Sequence, residues 1–475
     1  MQIPVLSGIT VDAQANFRTS YPMNLVPVPT DQGISKGYLR SAEGMVEFAT
    51  SAYTDRGGIN WQGVMYRVAG SFLVRVNADQ STDFMGFIAD DGKRVILVNG
   101  FDRLAIASAG RLFYFIHGSG VTEVTDTDLG TALDVIWAAG YYMTTDGASL
   151  VVTDLNDPMS VNPLKYGSSE ASPDPVNSLL YIRNEVYAVN RYTVEVFQNV
   201  GGSGFPFQRV EGAMIPKGSI GLHASCYYLD NFAFVGGGLN ESLSVYIGGP
   251  GQVSKIATAQ IERTLQDYTE AELASLVVEA RSDKLHDWLY IHLPDKTIVY
   301  DAAASAILQE PVWFTLSSGA NGDQAFRARN FVRAYDKWLF GDIQTNKFGY
   351  FTEGDARQFG ETVPWQFDTV MLYNEGRGAI IHDLELVRLP GRQAVSPLSP
   401  TPTVGASVFL TYSDDGETYS QPKPSALTYP GQRLKRTAWR RIGQVRHYRT
   451  FRLRGMNNPY PDSFARLEAQ IEGLG

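Results

Sequence analysis

The chain has 475 residues, of which 12% are aromatic, 19% are charged and 46 are glycine. At about 150 residues per domain, this length suggests about three domains, although all-β units often run longer. Low charge with many aromatics and glycines is typical of short strands joined by tight turns, and it excludes a disordered chain or a coiled coil. The one cysteine, Cys226, excludes an internal disulfide and a multi-cysteine zinc site.

Export and membrane signals are missing from the sequence. The first four residues, MQIP, lack the basic and apolar regions of a signal peptide. The most apolar stretch, residues 132–143, is too short to span a bilayer and contains Asp134. We therefore expect a soluble protein, made in a reducing compartment and without a membrane-spanning segment.

The chain begins with a segment that is rich in proline. Pro4, Pro22, Pro27 and Pro29 interrupt the first 45 residues, which show little hydrophobic periodicity. We predict that residues 1–45 form an extended N-terminal arm that packs on a C-terminal platform.

Residues 46–360 are dominated by a recurring hairpin pattern. A short aromatic-rich strand, a turn containing Gly, Asp or Asn, and a second strand recur at spacings of 31 to 55 residues. The seven repeats begin near Val64, Val95, Val135, Leu179, Tyr227, Leu276 and Phe331. Units of this size suit the blades of a β-propeller, each with three or four strands. We predict a mainly all-β chain with a propeller of six or seven blades over 46–360; a pair of β-sandwiches is the alternative.

One stretch inside this region has helical rather than strand periodicity. Apolar residues in 256–280 recur at helical spacing, and Thr269 with Glu272 forms the sequence of a capping box. The pattern predicts a short helical insertion near 256–280, made of two helices that meet near Tyr268.

Residues 361–475 have a different character. A Pro- and Ser-rich linker or loop, residues 390–402, precedes several short strand patterns. We predict that 361–475 form a C-terminal antiparallel β platform domain.

Charge is distributed unevenly along the chain. The formal net charge is −10, yet residues 431–455 contain nine basic residues and no acidic one. These nine are Arg433, Lys435, Arg436, Arg440, Arg441, Arg446, Arg449, Arg452 and Arg454. Such asymmetry often marks a partner-binding surface. The basic run has three alternative interpretations: a docking face for another protein, a solvated strand face, or a nucleic-acid-binding surface. The acidic remainder of the chain argues against general DNA binding, because neutralising phosphates supplies most non-specific affinity.

Motifs of catalysis and cofactor binding are missing, so we expect no catalytic, cofactor-binding or metal-binding residues. His286 and His292 lie on one strand pattern, but no third ligand is indicated. Residues 413–419, SDDGETY, resemble the Asp box of sialidases imperfectly, and an Asp-Gly hairpin turn with two positive φ angles explains them sufficiently. A hydrolase would need two carboxylates held close together in space, and the sequence alone does not show which acidic residues are close.

Several stretches resemble one known family. They are KGYLRS (36–41), SVYIGGPGQVSKIATAQIE (244–262), YTEAELA (268–274), IHLPDKTIVYDAAASA (291–306) and WRRIGQVR (439–446). Together they resemble the tail hub, or nozzle, of short-tailed bacteriophages, also called the packaged-DNA stabilisation protein or tail accessory factor. The order and spacing of the stretches suit that family from about residue 36 to about residue 454.

The resemblance implies a structural virion protein of the tail, made in the host cytoplasm, with no enzyme activity and no cofactor. It implies six copies in a tube below a head-to-tail adaptor, closing the DNA exit after packaging together with a needle or tip protein. Tailspikes or fibres would attach to it, and DNA would pass its channel without specific binding. The basic run would then dock on a neighbouring subunit or on the adaptor. A peripheral receptor- or glycan-binding propeller, or less plausibly a propeller glycoside hydrolase, is the alternative.

Overall fold

The chain folds into a β-propeller joined to a two-sheet β-sandwich. The computed structural model describes residues 1–11, 16–30, 34–155, 157–375, 377–389, 407–427 and 436–474. The Pro- and Ser-rich linker predicted at 390–402, like Arg433 and Lys435, lies outside these residues.

The first part of the chain contributes strands to both bodies. Its strands are β1 (Gln2–Ile3), β2 (Gly8–Val11), β3 (Phe17–Ser20), β4 (Leu25–Pro29), β5 (Gly37–Ser41) and β6 (Gly44–Thr50). β1, β4 and β5 pair within the larger sheet of the sandwich, whereas β2 and β3 form a separate hairpin. β6 pairs instead with a late strand of the propeller. The division into an arm over 1–45, a propeller over 46–360 and a platform over 361–475 stays a prediction.

The propeller has seven blades in the described part of the chain. Blade 1 comprises β7 (Asp55–Trp61), β8 (Val64–Ala69), β9 (Phe72–Val76) and β10 (Thr82–Phe87). Blade 2 comprises β11 (Ile96–Asn99), β12 (Leu104–Ser108), β13 (Arg111–Ile116) and β14 (Gly120–Glu123). Blade 3 comprises β15 (Asp134–Ala138), β16 (Tyr141–Thr145), β17 (Ser149–Val152) and β18 (Gly167–Ser168). Blades 4 and 5 comprise β19 (Val176–Ile182), β20 (Glu185–Asn190), β21 (Val194–Asn199) and β22 (Phe207–Arg209); and β23 (Gly218–Ser219), β24 (Ser225–Tyr228), β25 (Asn231–Gly237), β26 (Ser244–Gly249) and β27 (Gln252–Lys255). Blades 6 and 7 comprise β28 (Val277–Asp283), β29 (His286–His292), β30 (Thr297–Asp301), β31 (Val312–Ser318) and β32 (Gln324–Ala325); and β33 (Ala328–Ala334), β34 (Lys337–Asp342) and β35 (Lys347–Thr352).

The seven predicted repeats fall in seven different blades, and β6 completes the last of them. β6 pairs antiparallel with β35, so the N-terminal side of the propeller supplies the outermost strand of blade 7. The innermost strand of blade 7, β33, packs beside β7 of blade 1 and closes the ring. The propeller prediction is therefore confirmed, and the blade count is seven.

The hairpin turns that follow β7, β15, β19, β24, β28 and β33 share one geometry. Each turn has two residues, and the first has a positive φ. These first residues are Gln62, Ala139, Arg183, Leu229, Lys284 and Tyr335. Such turns match the right-handed twist of paired strands, which explains the repeated tight hairpins of the sequence pattern.

The helical insertion lies between blades 5 and 6. It consists of α1 (Ala259–Gln266) and α2 (Glu270–Ala274), and both bonds of the capping box at Thr269 and Glu272 are present. The predicted helical segment, 256–280, is too long at its C-terminal end. Val277 already begins the innermost strand of blade 6, where its backbone pairs with β29 instead of forming helical hydrogen bonds. A third helix, α3 (Ala302–Leu308), and two 3₁₀ helices, Thr127–Leu129 and Pro163–Lys165, were not predicted.

The sandwich supplies the platform. Its C-terminal strands are β36 (Pro364–Asp368), β37 (Leu372–Tyr373), β38 (Ala379–Leu389), β39 (Ser407–Ser413), β40 (Lys423–Ala426), β41 (Thr437–Val445), β42 (Tyr448–Met456) and β43 (Ser463–Gly473). One sheet runs β4-β5-β43-β38-β41 with β1 beside β43, and the other runs β36-β42-β39-β40 with β37 beside β42. Buried side chains of both sheets, including Trp365, Trp439 and Phe464, form one core between them.

The two-residue Asp-Gly hairpin predicted within 413–419 is wrong. β39 ends at Ser413 and its partner β40 begins only at Lys423, so the connection is much longer. Gly416 has a φ of 82°, whereas Asp415 is not among the residues with positive φ. Asp415 instead accepts hydrogen bonds from the backbone N–H groups of Glu417 and Thr418, which makes the turn an Asx-type structure.

Candidate docking surface on the platform

The basic run lies on the hairpin of β41 and β42. β41 is the edge strand of the larger sheet, next to β38, while β42 is a central strand of the smaller sheet. The hairpin therefore connects the two layers of the sandwich, and its arginines point in different directions. The structure divides them into an internal pair and an exposed group.

Arg449 is an internal structural residue, with 3% of its surface exposed. Its guanidinium forms a bidentate ion pair with Asp414, with N–O distances of 2.6 and 2.7 Å. It also donates to the Gln444 carbonyl oxygen at 3.0 Å and lies over the Tyr412 ring, 4.0 Å from its centroid. These contacts tie the turn of β41 and β42 to the loop after β39.

Arg452 has a similar internal role on the same strand. It forms a bidentate ion pair with buried Asp368 on β36, at 2.8 and 2.9 Å, and lies 4.1 Å from the ring centroid of Tyr419. Ser20, at the end of β3, donates to the same carboxylate at 2.8 Å. Arg452 thus joins β42, β36 and the N-terminal hairpin.

The exposed group consists of five arginines. Arg436 pairs with Glu385 on β38, with an Nε–Oε1 distance of 2.7 Å. The other four, Arg440, Arg441, Arg446 and Arg454, are exposed and form no ion pair with any residue in the described ranges. Four unpaired cations on one hairpin are available to an external partner.

Arg440 and Arg441 are displayed by an irregularity of the edge strand. The pairing of β41 with β38 shifts register between Ile381 and Asp383, so that β41 carries an extra residue there. Arg441, at this β-bulge, has a φ of 56°. As a result both neighbouring arginines are exposed, although consecutive residues of a regular strand point to opposite faces.

The outer face of the larger sheet forms an open trough beside these arginines. The trough has a volume of about 1030 Å³ and is lined by side chains of both charges. Asp383, Glu385 and Glu468 supply the acids, and Arg436 and Arg440 supply the bases. The sequence analysis missed these acids, although Asp383 and Glu385 alternate with apolar residues as on a half-exposed strand. A surface of mixed charge suits a partner with complementary charges.

The centre of the propeller holds a second polar cluster, in a channel of about 310 Å³. Its node is Asn330 on β33. The Asn330 amide nitrogen donates to Asp55 of blade 1 at 2.7 Å, and its oxygen accepts from Arg94 at 2.8 Å. Its backbone N–H donates to Glu279 of blade 6 at 2.9 Å, and its carbonyl oxygen accepts from Arg67 at 3.0 Å. One residue thus ties blades 6, 7 and 1 together.

Two carboxyl groups of this channel titrate differently because their surroundings differ. Burial raises the pKa of Asp134 to about 7, although Asp134 accepts backbone N–H bonds from Leu179 and Val135. Burial also acts to raise the pKa of Glu279, but the charge of Arg94, 2.7 Å away, and the bond from His292 lower it to about 2. The pKa of Asp134 therefore lies well above that of Glu279, and the two carboxyl groups lose their protons at different pH.

The histidines and the cysteine singled out in the sequence have structural surroundings. His286 Nδ1 lies 2.6 Å from Asp301, and His292 bonds to Thr297 and Glu279 within the sheet of blade 6. Burial raises the pKa of the Cys226 thiol. Within the described ranges, no group of three or more His, Cys, Asp or Glu is placed to hold a metal ion. In the same part of the chain, no helix has the length and apolarity needed to cross a membrane.

The chain is thus a β-propeller joined to a β-sandwich, with a charged surface on the sandwich that is open to a partner. Comparison with known proteins specifies the class further. The family described as "Bacteriophage P22 Gp10, beta-propeller" matches residues 1–355, and that described as "Bacteriophage P22 Gp10, beta-sandwich" matches residues 364–472. The tail hub protein gp10 of Salmonella phage P22 is 27% identical over 477 residues, covering 95% of this chain and 96% of the relative.

Among solved structures, the designed Ika8 protein is similar with a TM-score of 0.41 at 9% identity, covering 65% of this chain and 100% of its own. The WD40 domain of Neurospora crassa Pan2 has a TM-score of 0.43 at 9% identity, covering 65% of this chain and 95% of its own.

The chain belongs to the P22 Gp10 family of phage tail hub proteins. The expected family resemblance is thereby confirmed, as is the combination of a propeller with a β-rich platform. The protein is a structural component of the virion tail, where it assembles with other tail proteins.

Proposed function

We propose that this tail hub docks under the adaptor of the head through its platform and closes the DNA exit channel after packaging. The supporting observation is that four arginines of the exposed group, Arg440, Arg441, Arg446 and Arg454, have no acidic partner among the described residues. The acidic partner would lie on a neighbouring hub subunit or on the adaptor. Charge complementarity sets the orientation and rate of such docking, while buried apolar area holds the joint.

Six copies of the hub form the ring in this proposal. A six-fold ring needs a head-to-tail interface, in which two different surfaces of each copy meet and the rotation closes. The mixed-charge trough offers one such surface, and the exposed arginines that do not line it, Arg441, Arg446 and Arg454, offer a second on the same platform. The needle or tip protein completes the seal, and the propeller offers its surface to tailspikes or fibres. DNA passes the acidic hub without specific binding, because like charge repels phosphates.

Particles from a phage with a nonsense codon early in this gene test the central claim. We expect heads that package DNA and then lose it, and that lack needle and spikes, by electron microscopy and gel analysis. Stable DNA-filled heads that lack only host attachment would instead identify a peripheral receptor-binding propeller.

Complementing that phage with the double variant Arg440→Glu/Arg441→Glu tests the docking surface. We expect the variant hub to fold but not to dock on the adaptor. The matched control is Arg111→Glu on blade 2, an exposed arginine that is 3.4 Å from Glu123. Normal docking by the double variant would remove this role from the arginines of β41.

A further inference from the structure

A cluster of four aromatic side chains lies on blade 1, on the segment just before β7 and on the two outer strands β9 and β10. We call the rings of Tyr53, Phe72, Phe84 and Phe87 the blade 1 aromatic cluster. Phe72 lies 5.0 Å from Tyr53, 5.6 Å from Phe84 and 5.3 Å from Phe87 between ring centroids, and Phe84 lies 5.1 Å from Phe87. The cluster is therefore one continuous apolar surface.

This surface is exposed although it is apolar. Tyr53 is 49% exposed, Phe84 is 54% exposed and Phe87 is 67% exposed. A pocket of about 360 Å³ is lined by Tyr53, Phe72, Phe84 and Val74, among others. Contiguous exposed aromatics are rare on proteins that act alone, and they mark sites of protein–protein contact.

A β-bulge builds the cluster. In a regular strand Phe84 and Phe87 would point to opposite faces, because they are three residues apart. The pairing of β10 with β9 shifts between Phe84 and Gly86, which leaves Met85 as the extra residue. The shift turns both phenylalanines to the face of Phe72. A bulge that re-aims two side chains into solvent is a feature expected of a binding site.

The cluster lies on a different blade from the one that carries the following platform contacts. β4, a strand of the larger sheet of the sandwich, packs along β31 of blade 6, and Met23 just before it bridges to Thr315 there. The cluster belongs to blade 1, which is two blades further round the ring. The cluster is therefore separate from this contact between platform and propeller.

The charges around the cluster are already compensated. Asp83, at the pocket wall, pairs with Arg75 at 2.7 Å and accepts from Asn77 at 2.8 Å. Near Ser51, Lys347 pairs with Glu47 at 2.8 Å. An approaching partner meets aromatic surface and neutral ion pairs, so the surface suits an uncharged apolar segment.

We propose that the blade 1 aromatic cluster is the docking site for an uncharged, apolar segment of a different tail protein, carried on the outside of the hub. This inference rests on the proposed hub function and adds the surface and the chemistry of one attachment. A second copy of the hub would need a matching apolar patch. Other strongly exposed apolar side chains, such as Phe101 and Leu285, lie on separate hairpin turns.

The test uses phage particles in which the hub is replaced by Phe84→Asp/Phe87→Asp. We expect normal amounts of hub and needle and retained DNA, with one peripheral tail protein reduced at least about tenfold, because buried aromatic anchors dominate protein interfaces. The matched control is Phe101→Asp/Leu239→Asp, which changes two apolar side chains that are 91% and 68% exposed and lie outside the cluster. The control should carry every tail protein.

Three results would overturn the inference. The first is a full set of tail proteins on the variant particles. This result overturns the inference whether host adsorption is normal or lost, and lost adsorption would show that the cluster binds a host glycan instead. The second is a folded variant hub that fails to enter particles, which would place the cluster in the hub ring. The third is an equal loss in the control. If the double variant fails to fold, by circular dichroism, Phe87→Asp alone decides the question. The proposed hub function is tested separately by the particles with the nonsense codon: hub-free particles that keep their DNA would refute that function.

Discussion

Asn330 is the residue whose replacement should most directly open the propeller ring. Asn330→Ala removes the hydrogen bonds to Asp55 and from Arg94, both to charged partners in a buried cluster. Each such bond contributes about 1.5–3 kcal/mol. Asn330 also has a φ of 58°, a conformation that costs alanine about 1 kcal/mol more than glycine. Because Arg94 keeps its bond to Glu279 and is partly exposed to water, we expect a net loss of about 3–5 kcal/mol in the free energy of unfolding.

Asn330→Gly separates the two contributions. It removes the same side-chain bonds but relieves the backbone, so it should be about 1 kcal/mol less destabilising than Asn330→Ala. Differential scanning calorimetry measures the loss, and hydrogen exchange followed by mass spectrometry locates it. We expect faster exchange in β7, β28 and β33, the innermost strands that meet at this residue. A loss below about 1 kcal/mol for Asn330→Ala, with unchanged exchange there, would refute the view that Asn330 closes the ring.

Two further predictions concern single ionisable residues. The pKa of Asp134 is raised to about 7 in the folded chain and lies near 3.9 in an unfolded chain, so stability should fall as the pH rises from about 4 to 7. Asp134→Asn should remove this slope from urea denaturation curves measured across that range, and an unchanged slope would contradict the burial argument. Arg449→Met should lower the free energy of unfolding by about 2–3 kcal/mol, because it leaves Asp414 and the Gln444 carbonyl without their donor. The exposed neighbour Arg446→Met is the control and should change it by at most about 0.5 kcal/mol; equal effects of the two would contradict the division of the basic run.

The composition and the hairpin pattern carried the prediction of the propeller, because each blade is a local unit of consecutive antiparallel strands. The blade count required the tertiary structure. The seventh blade takes its outermost strand, β6, from a position about 300 residues earlier in the chain, and such pairing has no local signal. The same holds for β1, β4 and β5, which the sequence places in an extended arm and the structure places in the larger sheet of the sandwich.

The candidate site shows the same limit at the level of single residues. The count of charged residues found the basic run. It could not show that Arg449 and Arg452 are neutralised while Arg440 and Arg441 are not, because the acids that pair with the first two come from distant segments. A strand alternates its side chains regularly, so sequence alone also places Arg440 and Arg441 on opposite faces. Only the bulge at Arg441 exposes both.

The sequence by itself determined the local properties of this protein: short strands, tight turns, a capped helical insertion and a concentrated basic segment. Each depends on residues close together in the chain, where backbone preferences and periodicity act directly. The tertiary structure decided which strand closes the ring, which arginines are neutralised, and that a bulge exposes Phe84 and Phe87 together. These depend on partners far apart in sequence, whose meeting is fixed by packing and by the burial of charge rather than by any local preference.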